Sequence, residues 1–297
     1  MALVVDTSSW RIATWNCFGA AQSPRAFLRW RGAEDAERFV HPQLLRELGA
    51  LDVLCVQEVW LKDVEEFFDR LPQPHKTRDP NTSTFYPLTI GGSGLGFASH
   101  GPIVQSEMRA FTGPKRNSER VARKGVAHAR VLLPGGPALD VFTTHMQSGY
   151  DAGARFVRRH QLEQVRAFVD ERSDPSVATI LCGDFNINGL TEVRAGEYAC
   201  LAALFGDFCD AFADEDPITF HPHPDHNPLA HRFEPRAAIQ RVDYVLYRAP
   251  KDTSVETLEV SDACLFLRDP LAHEGIYPSV HASDHFGLAV TLSKPGS

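Results

Sequence analysis

The chain has 297 residues, 43% of them hydrophobic and 23% charged, and this length suits one large α/β domain or two small ones. Thirty basic residues against 38 acidic ones give a net charge of −8. That charge argues against generic nucleic-acid binding, because most of the affinity in such complexes comes from lysine and arginine on phosphates. It does not exclude a nuclease, in which a metal site holds one phosphate locally.

Strands are predicted, in chain order, at about 11–16, 52–57, 84–90, 95–100, 103–112, 125–133, 138–145, 178–184, 241–248, 255–264 and 286–292. Helices are predicted at 33–50, 61–71, 152–172 and 195–206. The third helix has the clearest period, with Phe156, Leu162 and Phe168 among the residues of one apolar face. No linker divides the chain, so we predict a single domain over residues 1–297, built from packed sheets.

Two long irregular stretches, 17–31 and 215–240, are predicted to be functional or mobile loops. No apolar run approaches the roughly 20 residues that a membrane-spanning helix needs, and residues 1–6 lack the basic start of a secretory signal. The six cysteines, none in a Cys-x-x-Cys spacing, are expected to be reduced core residues of a cytoplasmic protein. A secreted protein whose signal had been removed would have the same composition. The cysteines are Cys17, Cys55, Cys182, Cys200, Cys209 and Cys264.

Polar side chains stand at the ends of several predicted strands. Burying such groups is costly unless they are paired or bound to metal, so their repeated placement at strand ends predicts the floor of an active site. The residues concerned are Asn16, Gln57, Glu58, His145, Asp184, Asn186, Asp243, Asp284 and His285.

Each of these motifs also has a structural interpretation. The sequence Gly183-Asp184-Phe185-Asn186 is equally compatible with an Asx turn that closes a strand. Glu58 is either a ligand for a hard divalent cation such as Mg²⁺ or a favourable charge at the start of the helix near residue 61. A lone histidine such as His145 is more often structural than catalytic.

Histidine is the usual general base near neutral pH and needs a partner to fix its tautomer. Adjacent residues of a strand point to opposite faces, so Asp284 is poorly placed to orient His285. Asp243, on another strand, is the better candidate.

Three further patterns favour a structural interpretation. Residues 91–96 lack the Lys-Ser/Thr ending of a phosphate loop and open a strand, which indicates a hairpin turn. A basic stretch is typical of a solvated edge, with contact to anionic lipid or phosphate as the alternative. A histidine group suggests zinc, but its prolines and the lack of an i, i+4 pair favour an ordinary loop. The basic stretch comprises Lys115, Arg116, Arg120, Arg123 and Lys124, and the histidines are His221, His223, His226 and His231.

Taken in order, the polar motifs resemble those of the endonuclease/exonuclease/phosphatase superfamily, from about residue 11 to residue 292. The resemblance implies a four-layer αββα sandwich of two facing mixed β-sheets, like that of deoxyribonuclease I, with an active site at one rim. It also implies Mg²⁺-dependent cleavage of a phosphate ester, with Mn²⁺ or Co²⁺ as substitutes. The motifs are Asn16, Gln57-Glu58, Thr144-His145, Gly183-Asp184-Phe185-Asn186, Arg241-Val242-Asp243-Tyr244 and Ser283-Asp284-His285.

The resemblance also implies roles. On the metal side, Glu58 would bind the Mg²⁺, Asn16 would help to place the phosphate and the metal shell, and Asp284 would act through water.

On the catalytic side, His285 would be the general base for the attacking water, oriented by Asp243. Asp184 and Asn186 would position the phosphate and the water, and His145 would stabilise charge on phosphorus.

Several segments are similar to the neutral and bacterial sphingomyelinases in particular. We therefore predict a phosphodiesterase of phospholipase C type that releases a phosphorylated head group from a lipid or alkyl alcohol, with Lys124 in substrate binding. A nuclease or phosphatase of the same superfamily is the alternative, and a non-catalytic phosphate-binding protein is a third. The similar segments are Lys124-Gly125-Val126, Thr144-His145-Met146-Gln147, Thr219-Phe220 and Asn227-Pro228-Leu229-Ala230.

The sequence departs from those relatives in one respect that concerns membranes. Secreted bacterial sphingomyelinases carry a paired-aromatic hairpin that enters membranes, and the corresponding residues 264–268 and 276–278 have little aromatic content. The hydrophobic membrane segments of the eukaryotic neutral enzymes are also lacking. Membrane-embedded sphingomyelin is therefore a less favoured substrate than a phosphodiester of another lipid or alkyl alcohol. We also expect a monomer that makes transient contact with a membrane surface, with nucleic acid as the less favoured substrate.

Overall fold

The computed structural model describes residues 8–19, 37–80, 83–85, 88–90, 92–116, 122–252 and 257–296. The strands are β1 (Ser9–Asn16), β2 (Val53–Gln57), β3 (His75–Arg78), β4 (Ser83–Phe85), β5 (Leu88–Ile90), β6 (Gly96–Ser99), β7 (Ile103–Ala110), β8 (Gly125–Leu132), β9 (Ala138–His145), β10 (Ala178–Asp184), β11 (Cys209–Asp210), β12 (Asp243–Arg248), β13 (Glu259–Phe266) and β14 (Gly287–Ser293). The helices are α1 (Pro42–Gly49), α2 (Lys62–Asp69), α3 (Ala152–Arg172), α4 (Glu197–Leu204) and α5 (Pro228–Phe233), with 3₁₀ turns at Arg38–Val40 and Thr191–Val193.

Two six-stranded sheets form the centre of the molecule. The first sheet has the order β13-β14-β1-β2-β6-β3, and the second has the order β11-β12-β10-β9-β8-β7. Each is mixed, because β1 and β2 are parallel in the first sheet and β9 and β10 are parallel in the second, while their other neighbours are antiparallel. β4 and β5 form a separate hairpin.

Three sets of buried apolar side chains separate four layers. Alternate strand residues face opposite ways, so β1 directs Ile12 between the sheets and Trp15 outward. Trp15 joins the apolar faces of α1 and α2, and the outer face of the second sheet packs in the same way against α3 and α4. The predicted four-layer α/β sandwich of two facing mixed sheets is therefore confirmed.

Some elements differ from those predicted. The predicted strand 84–90 is the hairpin of β4 and β5, with residues 86 and 87 outside the described part of the chain. β3 was not predicted because its residues are polar; it is half-buried at the edge of the first sheet. In the stretch 215–240, Asn227 caps the short helix α5 through its side chain. Phe156, predicted on the apolar face of α3, is 57% exposed.

The six cysteines are free, and Cys17, Cys55 and Cys182 are buried. Within the described residues, no helix is both long enough and apolar enough to cross a bilayer.

Candidate active site

The register of the sheets gathers the polar strand ends at one rim. In the second sheet Asp184, the last residue of β10, lies opposite His145 on one side and Asp243 on the other. In the first sheet Asn16 lies opposite Gln57. Because each residue ends or opens its strand, the two sheets present their polar groups at the same edge.

Asn16 joins the two sheets. Its Nδ2 donates to Glu58 Oε1 and to Asp184 Oδ2, both at 3.1 Å, and its Oδ1 accepts from the Phe18 amide at 3.0 Å. The carboxamide is thereby fixed between a carboxylate of each sheet.

The backbone at this rim is strained. Among the described residues, four non-glycine residues have positive φ, and three of them lie here: Phe18 at 53°, Glu58 at 67° and Asn186 at 53°. Such conformations cost on the order of 1–3 kcal/mol each and concentrate at functional sites.

Asp243 and His285 form a buried pair. His285 Nδ1 lies 2.9 Å from Asp243 Oδ2. The Oγ1 of Thr219 accepts hydrogen bonds from the amides of Val242 and Asp243, and the ring of Phe220 packs on the imidazole at 5.3 Å. Asp243, not the adjacent Asp284, therefore contacts the ring. Burial lowers the pKa of His285, but the carboxylates of these two aspartates outweigh it and hold the pKa well above its usual value.

Asp284 has other partners. The hydroxyl of Ser283 donates to the carbonyl oxygen of Asn16 at 2.6 Å and lies 3.2 Å from Asp284 Oδ1. This contact holds the segment of Asp284 against the end of β1.

The site carries more negative charge than its own cations balance. Burial and the charge of Asp284 raise the pKa of Glu58 to about 7. Burial and Asp243 raise that of Asp184 to about 6, and burial raises that of Asp284 to about 6. A divalent cation would supply the missing positive charge.

The oxygen atoms present fit Mg²⁺. Among the described residues, Glu58 Oε2 is buried without a hydrogen-bond partner, and carboxylate and amide oxygens are what a hard cation binds. A ligand atom from each of Asp184, Asp243 and His285 also lies within 4.8 Å of the others. We favour the Glu58 side, because the Asp243–His285 hydrogen bond already engages two of that trio.

Lys124 lies inside the site. Its Nζ is 2.8 Å from His145 Nε2 and donates to the carbonyl oxygen of Met146 at 2.8 Å. An ammonium has no acceptor, so Nε2 of His145 accepts this hydrogen bond. Burial, reinforced by Lys124 and His285, lowers the pKa of His145 well below its usual value, which keeps its imidazole neutral.

The solvated-edge interpretation is therefore wrong for Lys124, which is only 6% exposed. The remainder of the basic stretch is nearer solvent: Arg123 is exposed, Arg116 is paired with Asp151 at 3.5 Å, and Lys115 is half-buried. Arg120 lies outside the described residues.

The structure thus places all nine predicted site residues at one rim. Asn186 completes the set: its amide donates to Asp184 Oδ1 at 2.8 Å and its Nδ2 to the carbonyl oxygen of Met146 at 3.1 Å. The other eight are Asn16, Glu58, Lys124, His145, Asp184, Asp243, Asp284 and His285.

Three neighbours of the site were given no role from sequence. The ring of Trp60 stacks on His145 at 5.7 Å. Gln57 Nε2 donates to Thr14 Oγ1 at 3.0 Å and to Thr143 Oγ1 at 2.9 Å, which ties the two sheets together below the site. Arg38 is buried and donates to the carbonyl oxygens of residues 17, 18 and 282. Only Gln57, beside Glu58 at a strand end, had a sequence signal.

Gly183→Ala is expected to reduce the free energy of unfolding by about 2–4 kcal/mol. Gly183 has a φ of 128°, and a Cβ there would lie 2.1 Å from the backbone oxygen of Thr144. Thermal and urea unfolding measure the loss. Gly113→Ala is the matched control, because φ is 90° but no atom lies within 4 Å; equal losses in both variants would exclude the steric cause.

Residues 13–285 match the model of the Endonuclease/Exonuclease/phosphatase family. The chain belongs to this family. The predicted family is thereby confirmed, and the match includes all nine residues at the rim.

One curated relative is similar to this chain over part of its length. An inositol phosphosphingolipids phospholipase C of Schizosaccharomyces pombe is 28% identical over 196 residues, which are 61% of this chain and 42% of that protein. The chain therefore spans less than half the length of that relative.

Several solved structures have the same fold. Sphingomyelinase C from Streptomyces griseocarneus is 22% identical with a TM-score of 0.68, over 96% of this chain and 99% of that one. The beta toxin of Staphylococcus aureus, solved with bound magnesium ions, is 16% identical with a TM-score of 0.71, over 95% and 99%. TDP2 of D. rerio, complexed with a single-strand DNA product, is 17% identical with a TM-score of 0.69, over 97% and 100%.

Proposed function

We propose that this chain is a Mg²⁺-dependent phosphodiesterase of phospholipase C type, similar to sphingomyelinases, which releases a phosphorylated head group by attack of water. The observation that carries the proposal is the Asp243–His285 pair at the same rim as Glu58, whose Oε2 accepts no hydrogen bond from the part of the chain that the structure describes. The phospholipase C relative and the sphingomyelinase fold support it.

The pair is suited to general-base catalysis. Because the Asp243 carboxylate accepts a hydrogen bond from the N–H at Nδ1 of His285, the lone pair of the neutral ring is on Nε2. That nitrogen takes a proton from water as the water oxygen bonds to phosphorus and the bond from phosphorus to the alcohol oxygen breaks. The Asp243 carboxylate stabilises the imidazolium that forms. The alkoxide takes a proton from solvent and leaves as the neutral alcohol, and the imidazolium returns its proton to solvent.

The charge that develops on the phosphoryl oxygens needs donors already in place. Lys124 supplies a buried ammonium, and His145, held between Lys124 and the ring of Trp60, fixes its direction. Asn16, bonded to carboxylates of both sheets, keeps its own position as charge shifts.

Glu58, with Asn16 and Asp284, would hold the Mg²⁺. When bound, the ion supplies positive charge that polarises a phosphoryl oxygen. Mn²⁺ and Co²⁺ are divalent ions that also accept such ligands, and we expect them to substitute for Mg²⁺.

A substrate panel tests the proposal. The compounds are sphingomyelin and inositol phosphosphingolipid in mixed micelles, other choline lipids, a nitrophenyl phosphodiester, plasmid DNA and phosphomonoesters, each with Mg²⁺ or EDTA. We expect Mg²⁺-dependent release of a water-soluble phosphorylated head group. The bound DNA product of the TDP2 neighbour favours a nuclease as the second candidate. DNA cleavage without lipid cleavage would overturn our choice in its favour, and no turnover with any metal would leave only a phosphate-binding protein.

Lys124→Met is expected to lower kcat by about 10²–10³-fold, as for loss of one preorganised charge donor. The fall should persist at saturating substrate, because the ammonium acts on charge that develops during reaction. Steady-state kinetics on the responsive substrate measure it. Lys115→Met, which removes the same charge from the half-buried Lys115, is the control; equal losses in both variants would point to general attraction of anionic substrate instead.

A further inference from the structure

A second group of metal-ligating side chains lies outside the acidic rim. His221, His223 and His226, within six residues of one loop, are in mutual ring contact. Their centroids are 4.1 Å apart for His221 and His226, 5.7 Å for His223 and His226, and 6.4 Å for His221 and His223. His231, the fourth histidine of the sequence pattern, is bonded to the carbonyl oxygen of Pro222 and is not part of this cluster.

The spacing of these rings suits a tetrahedral metal ion. With Zn–N bonds of about 2.0–2.1 Å, two imidazoles on one ion have centroids roughly 5 Å apart, and the three observed distances lie on both sides of that value. Among the described residues, the ligand atoms of the three rings do not lie within 4.8 Å of one another, so binding requires the rings to rotate. His223 and His226 are exposed, so they turn without repacking a core.

Two imidazole nitrogens nearby have unmet bonding capacity. Nδ1 of His221 and Nδ1 of His281 are buried and have no hydrogen-bond partner within the described ranges of the chain. Both residues line one cavity of about 610 Å³, and His281 is only 7% exposed. A buried polar atom without a partner is destabilising, so the cavity contains groups that a ligand would stabilise.

The charges around the cavity favour a cation over an anion. Its lining includes four carboxylate side chains, Glu215, Asp216, Asp225 and Asp269, and one arginine, Arg268. Neutral imidazole binds metal, whereas an anion requires imidazolium.

We propose that His221, His223 and His226 bind a divalent transition-metal ion of the zinc class, at a site separate from the acidic rim. The two sites are adjacent but separate: the ring of Phe220 packs on His285, while the next residue, His221, lines the cavity. Nitrogen ligands select such ions and the oxygen ligands of the rim select Mg²⁺, so the two ions do not compete for one position.

Titration with Zn²⁺ and with Co²⁺ in the presence of excess Mg²⁺ tests this site, using calorimetry for Zn²⁺ and visible absorption for Co²⁺. We expect the protein to bind one equivalent of Zn²⁺ or Co²⁺ that Mg²⁺ does not displace. His226→Ala should weaken it by at least about 10-fold, and His221→Ala should do the same. His273→Ala, which removes another exposed imidazole, is the matched control. Circular dichroism shows that each variant is folded.

Unchanged binding in both His226→Ala and His221→Ala would overturn the proposal. The proposal would also be overturned if Glu58→Gln lost the bound Zn²⁺ or Co²⁺ while the histidine variants kept it, since the ion would then lie at the acidic rim. Hydrolysis is not the readout, so failure of the proposed activity leaves this test intact.

Discussion

Asp243→Asn is expected to lower kcat by at least about 10²-fold while KM changes little, and His285→Ala by about 10²–10⁴-fold, the range of a positioned general base. The reason is the 2.9 Å contact that fixes the imidazole and stabilises its charged form. Because the two side chains act as one unit, the double variant should be little worse than His285→Ala alone. Steady-state kinetics of the three variants measure these losses.

The structure supplies a matched control for this pair. Asp140 is also buried and also bonded to a histidine, with His128 Nε2 at 2.9 Å, and its carboxylate also accepts from Arg130. Asp140→Asn should cost stability and leave kcat of the folded enzyme near that of the wild type. Independent, multiplicative losses at positions 243 and 285 would instead separate the two residues and direct attention to Asp284.

The pH dependence of the same variant has a defined sign. The general base works when His285 is neutral, so activity rises as pH increases through its pKa. Asp243 and Asp284 raise that pKa above the usual value for histidine. Removing the charge of Asp243 favours the neutral ring, and the acidic limb of the kcat/KM profile should therefore move to lower pH. A limb that stays in place in Asp243→Asn would show that another group titrates.

Glu58→Gln is expected to abolish most Mg²⁺-dependent activity and to stabilise the metal-free protein. The substitution preserves shape and removes the charge that a hard cation requires. Without metal, Glu58 is a buried carboxylate whose pKa is raised to about 7 by burial and by Asp284, so neutralising it relieves an unfavourable charge.

Thermal melts with EDTA and with Mg²⁺ separate the two effects. Mg²⁺ should raise the Tm of the wild type, because a ligand that binds only the folded state stabilises it, and should have little effect on Glu58→Gln. In EDTA the variant should melt no lower than the wild type. Glu66→Gln, at a side chain that is 63% exposed, is the control for loss of a carboxylate. An unchanged Mg²⁺ response in Glu58→Gln would exclude Glu58 as the principal ligand.

The sequence predicts this site well because polar residues at strand ends leave a strong local signal. Asn16, Asp184 and Asp243 each interrupt an apolar run, and the sheet register then places them together. Lys124 shows where such reasoning fails: it follows basic neighbours in sequence, and only tertiary contacts show that its ammonium is buried against His145.

Other parts of the fold lack a local signal altogether. β3 is polar and is held as a strand by its pairing with β6, and the separation of Phe156 from the core depends on how α3 is rotated against the second sheet. The histidine cluster also lacks a local signal, because prolines interrupt any periodic pattern and the ring contacts arise from the path of the loop. Long-range packing, which no short window of sequence contains, decides each case.

Arg38 joins segments of the rim that are far apart in the sequence. Its guanidinium donates to the carbonyl oxygens of Cys17 and Phe18, just after β1, and to that of Ala282, which lies 244 residues after Arg38 in the chain. β14, which follows His285, pairs directly with β1. Contacts of such high sequence separation form late in folding, because they close long loops. The rim of a refolding chain is therefore incomplete until β14 is in place, and recovery of the proposed hydrolytic activity after denaturation should follow the slowest refolding phase.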